Sequence, residues 1–117
     1  MRSIDYCQNG MGKSATEEFI DSLDEKAQKK CLFVLGLAKD CGVLPAQYFK
    51  KLAGSDGIWE IRIQMGGQIY RLLCFWGAGN SLVLTHGFKK KTQKTPKAEI
   101  EIAQRWKKMY FQSKQKP

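Results

Sequence analysis

The sequence predicts an α+β fold. It has two N-terminal antiparallel helices, an antiparallel sheet meander of three to four strands, and a C-terminal helix; a short N-terminal strand is an optional addition. Three observations predict it. Apolar residues recur at helical spacing near the N-terminus, alternate with period two between residues 58 and 88, and return to helical spacing after Thr95-Pro96. With 117 residues, 43% of them hydrophobic, the chain makes one domain over residues 1–117 around one modest core.

Taken in order, Ile4 to Cys7 is the candidate first strand, weakened by Asp5 and by Gln8-Asn9-Gly10. Ser14-Ala15-Thr16-Glu17 has the form of a capping box, in which hydroxyl and carboxylate each satisfy an amide at a helix start. Glu17, Glu18 and Asp21 suit the positive end of the helix dipole, and Phe19, Ile20 and Leu23 supply its apolar face. Asp24-Glu25-Lys26 marks a break. A second helix follows over residues 27–40, with Cys31, Leu32, Leu35 and Ala38 at helical intervals and Phe33, Val34 and Leu37 broadening the stripe. Gly42 stops it and Pro45 prevents its continuation. Joined so tightly, the two helices are expected to pack antiparallel.

The period then changes. Residues 48–52 offer an edge strand, and Ser55-Asp56-Gly57 signals a turn into IWEIRIQ. There Trp59, Ile61 and Ile63 point one way and Glu60, Arg62 and Gln64 the other. Gly66-Gly67 turns the chain into QIYRLLCFW, and Gly77-Ala78-Gly79-Asn80 turns it into SLVLTHGF. Thr95 is placed as the cap of the last helix, with Pro96 in its first turn and Glu99 and Glu101 complementing the dipole. Ile100, Ala103, Trp106, Lys107 and Tyr110 share one face, with Ile102 and Met109 beside it. The tail over residues 112–117 is expected to fray.

Charge is unevenly distributed. Residues 1–85 hold 10 Lys/Arg against 9 Asp/Glu, whereas residues 86–117 hold 10 against 2, for a formal net charge of +9. A block this basic in a folded chain points to a polyanion, nucleic acid before membrane, because no apolar wedge accompanies the lysines. No apolar run approaches the roughly 20 residues of a membrane span, and MRSIDYCQNG lacks the apolar centre of a secretory signal. The expected location is the cytoplasm. Cys7, Cys31, Cys41 and Cys74 are widely spaced, without C-x-x-C and with one histidine in the chain, which fits reduced thiols better than zinc ligands. No metal or cofactor is expected. There is no G-x-x-x-x-G-K-[ST] loop, no nucleophile elbow and no carboxylate cluster of the two-metal nuclease kind.

Arg62 and Arg71 lie on strands that the Gly66-Gly67 turn makes adjacent. Each either pairs with Glu60 or a helix carboxylate, or serves a phosphate, for which the planar guanidinium fork is suited. Two such residues beside a lysine-rich loop favour phosphate. His86 is either a half-buried strand residue or a proton carrier titrating near neutrality. Glu60 reads as a counterion of the arginines rather than a base. Lys89, Lys90, Lys91 and Lys94 form the loop, and Phe88 and Tyr110 are the aromatics free to stack on a base.

The pieces LAGSDGIWEIRI, IYRLLCFW and LVLTHGFKKKTQKTPKAEIEIA, with the upstream helix S-x-x-E-F-I-D-S-L, resemble the phage-derived, Gp49-like branch of the HigB toxins. These toxins fall within the wider RelE/ParE superfamily. The strand ending H-G-F, the K-K-x-x-x-K-T-P loop and the helix carrying E-I-x-x-A are the most specific part. The resemblance implies the toxin of a type II toxin–antitoxin pair, an endoribonuclease cutting mRNA in the ribosomal A site. It also implies a cognate HigA-like antitoxin with a helix-turn-helix. It implies a basic concave sheet surface, onto which Arg62, Arg71, His86, Lys89 and Lys91 map by position; no general base transfers.

Elementary chemistry allows such cleavage without a metal. The 2′-OH of RNA attacks the adjacent phosphate, and the enzyme aligns the backbone, moves protons and stabilises the added negative charge. The expected roles put Arg62 and Arg71 on the scissile phosphate. Lys89 and Lys91 would hold flanking phosphates, and His86 or a lysine would manage protons. Two alternatives remain. One is a non-catalytic basic module that binds RNA or protein; the other is a ParE-like toxin that poisons gyrase.

Overall fold

The computed structural model describes residues 2–40, 44–89 and 94–115. Cys41, the Gly42 stop, Lys90, Lys91 and the last two residues of the tail lie outside them.

Period-two alternation becomes five strands: β1 (Ser3–Tyr6), β2 (Phe49–Lys51), β3 (Trp59–Met65), β4 (Gln68–Trp76) and β5 (Ser81–Lys89). They form one sheet in the order β1-β5-β4-β3-β2. Strands β2 to β5 make the expected antiparallel meander, with residues 48–52 supplying the edge strand β2. β1, however, runs parallel to β5, from Ser3 opposite Ser81 to Tyr6 opposite Leu84, so the sheet is mixed. A parallel pair needs a long crossover, and this one returns through every other strand and two helices. No local pattern in the sequence records such a distant pairing.

The helices are α1 (Ala15–Asp21), α2 (Glu25–Asp40) and α3 (Lys97–Gln115). Ser14 caps α1, its hydroxyl accepting from the Glu17 amide at 3.2 Å. α2 starts two residues earlier than expected. Asp24 lies in the expected break between the helices and caps α2: its carboxylate accepts from the Ala27 amide at 2.9 Å, whereas Glu25 and Lys26 already belong to the helix. The expected antiparallel helix pair is not formed, since α1 rests mainly on β5 while α2 reaches β3 and β1. α2 buries Ala27, Cys31, Val34, Leu35 and Ala38, whereas Leu32 and Phe33 face solvent at 58% and 57% exposure.

The sheet therefore has two cores. On one face α1 and α2 cover Ile61, Ile63, Tyr70, Leu72, Cys74, Leu82 and Leu84. On the other, α3 brings Ile100, Ala103, Trp106, Tyr110 and Phe111 onto Ile58, Leu73, Phe75 and Val83. α3 runs on through Gln115, so residues 112–115 are helical rather than frayed. It opens from the Pro96 carbonyl, which accepts from the amides of Glu99 and Ile100.

One irregularity decides which face the site residues occupy. Leu73 lies opposite His86 but Cys74 lies opposite Leu84, leaving Thr85 as an extra residue, a β-bulge. Strict alternation from Val83 would send His86 toward α1 and α2. The bulge turns His86 and Phe88 to the α3 side.

Candidate functional site

Two cross-strand rows build the α3 side of the sheet. Glu60, Leu73 and His86 form one, and Arg62, Arg71 and Phe88 the next. Arg62 and Arg71 are thus direct neighbours on one face, and like charges opposite one another repel. Glu60 resolves the repulsion. Its Oε1 accepts from Arg71 Nη1 at 3.1 Å and its Oε2 from Arg62 Nη2 at 3.2 Å. Thr95 completes the knot: its hydroxyl donates to Glu60 Oε1 at 2.7 Å and accepts from Arg71 Nη1 at 2.9 Å. The sequence placed Thr95 as a helix cap; its hydroxyl is drawn into the sheet's ion pairs instead. It ties the segment between the lysine loop and α3 down onto β3 and β4.

The two arginines differ in access. Arg71 and Glu60 are 0% exposed, whereas the Arg62 side chain keeps 20% of its surface. Arg71 therefore does not reach a phosphate from solvent, contrary to its expected role. It is a positioning residue that fixes Glu60, and Glu60 in turn fixes Arg62.

His86 lies two strands from Arg62, and its side chain is only 12% exposed. Its Nε2 is 3.5 Å from Glu99 Oε1 on α3, and its Nδ1 is 3.0 Å from the Thr85 hydroxyl. Burial lowers its pKa, and Glu99 opposes that shift without overcoming it. At neutral pH the ring is neutral. The Thr85 hydroxyl donates to the Leu73 carbonyl at 3.2 Å, and its oxygen is also the partner of Nδ1. Phe88 stacks beside His86 with ring centroids 5.8 Å apart.

The remaining expected residues scatter. Lys89 is opposite Tyr70, a residue of the α1–α2 core, so alternation starts its side chain on the wrong face to meet Arg62. Tyr110 is not near the arginines. It packs edge-on against Phe75, and the Ala78 amide donates to its hydroxyl at 3.1 Å, at the far end of β4. Lys94 is exposed and does join Arg62.

Where Arg62 surfaces, a hollow of about 170 Å³ opens between the Leu52–Ala53 turn and α3, lined by Lys50, Leu52, Ala53, Arg62, Lys94, Thr95 and Ile100. Lys50 was not singled out in the sequence. It stands opposite Glu60 on the edge strand, and that register was the only available signal. The hollow has an apolar floor of Leu52, Ala53 and Ile100 under three cations. Such a site can take a phosphate with an adjoining base or sugar.

Cysteine chemistry is not offered here. Burial pushes the thiols of Cys7 and Cys31 up to about 11, and that of Cys74 upward by burial and then by Glu60. None of the three is a thiolate at neutral pH. Among the described residues no group of three or more His, Cys, Asp or Glu could hold a metal ion, and no helix is long and apolar enough to cross a membrane.

A family model for phage-derived Gp49-like proteins matches residues 18–108, and that family lies within the RelE toxin-like superfamily. No curated protein matches the chain.

Proposed function

The chain belongs to the phage-derived Gp49-like family, and from that premise we propose that it is a HigB-type toxin that cleaves mRNA in the ribosomal A site. A helix-turn-helix antitoxin of the HigA kind would hold it in check. The observation that carries the reading is Arg62, presented at the surface by a buried Glu60–Arg71–Thr95 knot, with Lys50 and Lys94 beside it.

The substrate brings its own nucleophile. The 2′-OH attacks the neighbouring phosphorus, the bond to the 5′-oxygen breaks, and the products are a 2′,3′-cyclic phosphate and a 5′-OH. The 2′-OH proton passes to water and the departing 5′-oxygen takes one from a lysine ammonium of the hollow. Arg62 stabilises the extra charge of the five-coordinate phosphorus, aided by being already oriented before substrate arrives. His86, turned to Glu99, orients α3 rather than exchanging protons with RNA.

Arg62→Ala tests this. Removing one preorganised donor of this kind lowers rate by about 10²–10³-fold. Expression of the wild type is expected to arrest growth and create new mRNA 5′ ends bearing hydroxyl; Arg62→Ala is expected to do neither while folding normally. Growth arrest without new mRNA ends would favour the gyrase-poisoning reading. Binding to RNA without arrest or cleavage would favour a non-catalytic basic module.

A further inference from the structure

The Arg62 hollow does not end at Thr95. A second hollow of about 310 Å³ shares Ala53, Lys94, Thr95 and Ile100 with it and continues past Gly54 and Lys97 to Glu101 and Gln104. A third, of about 370 Å³, shares Glu101 and Gln104 and extends to Arg105 and Lys108. Together they form one trough along the outer side of α3. From Lys97 to Lys108 the helix rises about 17 Å, room for several backbone phosphates.

We propose that this trough is a track for single-stranded RNA, in which Lys97, Arg105 and Lys108 hold phosphates flanking the one at Arg62. The inference rests on the reading of Arg62 as the phosphate site. Three features set the stripe apart from an ordinary solvated helix face. First, Lys97, Arg105 and Lys108 make no ion pair or hydrogen bond among the described residues, although Glu101 is four residues before Arg105, the spacing that favours pairing. Second, Arg105 and Lys108 are one turn apart, and like charges at that spacing repel until a polyanion is present. Lys107, by contrast, is engaged: it donates to the Asp56 carbonyl at 2.8 Å.

Third, Gln104 is locked. Its Oε1 accepts from the Asp56 amide at 2.8 Å, which fixes the side-chain amide and leaves its NH₂ group as an oriented donor at the junction of the second and third hollows. Glu101, the one acid of the trough, is an acceptor suited to a ribose hydroxyl or a base amine. A donor and an acceptor between cations fit a nucleotide strand better than a uniformly acidic peptide.

The test uses the whole chain and a fluorescent 12-nucleotide RNA with 2′-O-methyl riboses, which binds but has no 2′-OH to attack. Fluorescence anisotropy is read across a salt series. Arg105→Ala/Lys108→Ala is expected to weaken binding about tenfold and to flatten the slope of log affinity against log salt by about 1.4, two phosphates at roughly 0.7 each. Lys26→Ala/Lys39→Ala removes the same net charge from α2 and is expected to leave both values unchanged. Equal losses in the two double variants, an unaltered slope in the first, or tighter binding of poly-glutamate than of RNA of equal charge would overturn the track. With cleavable RNA, the loss in the α3 variant is recovered by raising RNA concentration; that of Arg62→Ala is not. Track binding without new mRNA 5′ ends on expression refutes the nuclease reading alone, and new 5′ ends with an unaltered slope refute the track alone.

Discussion

At Glu60 two arginines and a threonine converge on one carboxylate that has no contact with water. A buried ion pair adds little net stability when formed, because desolvating both charges offsets their attraction, but breaking it leaves a charge stranded. Arg71→Ala is therefore expected to cost about 3–5 kcal/mol, read as a lower urea midpoint at constant m value. Glu60→Met/Arg71→Met, which replaces both charges by apolar volume, should recover most of that stability. It should still fail in RNA cleavage, because Arg62 and Thr95 lose the carboxylate that aims them. A double variant that folds and cleaves normally would show that the knot positions nothing. In the sequence the two arginines were visible as neighbours across the Gly66-Gly67 turn. Their unequal access was not, because burial at Arg71 depends on α3 closing over it.

Among the elements, β5 carries the tightest constraint. Gly87 sits where α1 crosses β5, and a methyl group there would overlap the Phe19 ring and come within 2.7 Å of Leu72. Gly87→Ala is expected to destabilise the fold by about 1–3 kcal/mol, the usual cost of overpacking, measurable as a fall in thermal midpoint. An unchanged midpoint would mean that α1 is free to shift outward. The H-G-F motif is legible in the sequence, and the structure supplies its reasons. Histidine and phenylalanine face α3 because of the bulge at Thr85, and glycine between them admits α1 on the opposite side. The stripe on α2 was legible only in part. Helical period finds apolar residues but does not say which arc of a wide stripe meets the sheet, and so Leu32 and Phe33 were counted inward.

For the molecule as a whole, α3 is both the cover of one core and the basic wall of the trough, so stability and function meet at its contacts with the sheet. His86 and Glu99 are one such contact. A histidine whose folded pKa is depressed binds its proton more weakly when folded than when unfolded. Stability therefore rises with pH across the interval between the two values. It is complete above the ordinary histidine value of about 6.5 and is lost as pH falls through that value toward the folded one. Between pH 7.5 and 5.5 the wild type is expected to lose more stability in urea than His86→Asn. Parallel losses in both proteins would show that His86 is not the titrating group.

By itself the sequence determined the order and kind of nearly every element, the strand edges and turns, and a strongly basic C-terminal quarter with 10 Lys/Arg against 2 Asp/Glu. These are local properties: residue period, glycine turns and charge content act over a few residues and survive without the rest of the chain. Tertiary structure alone decided that β1 lies parallel to β5, that a single extra residue turns His86 about, and that Arg71 is enclosed while Arg62 stays open. Each depends on which surfaces meet across many tens of residues, and burial, register and access exist only once those surfaces have met.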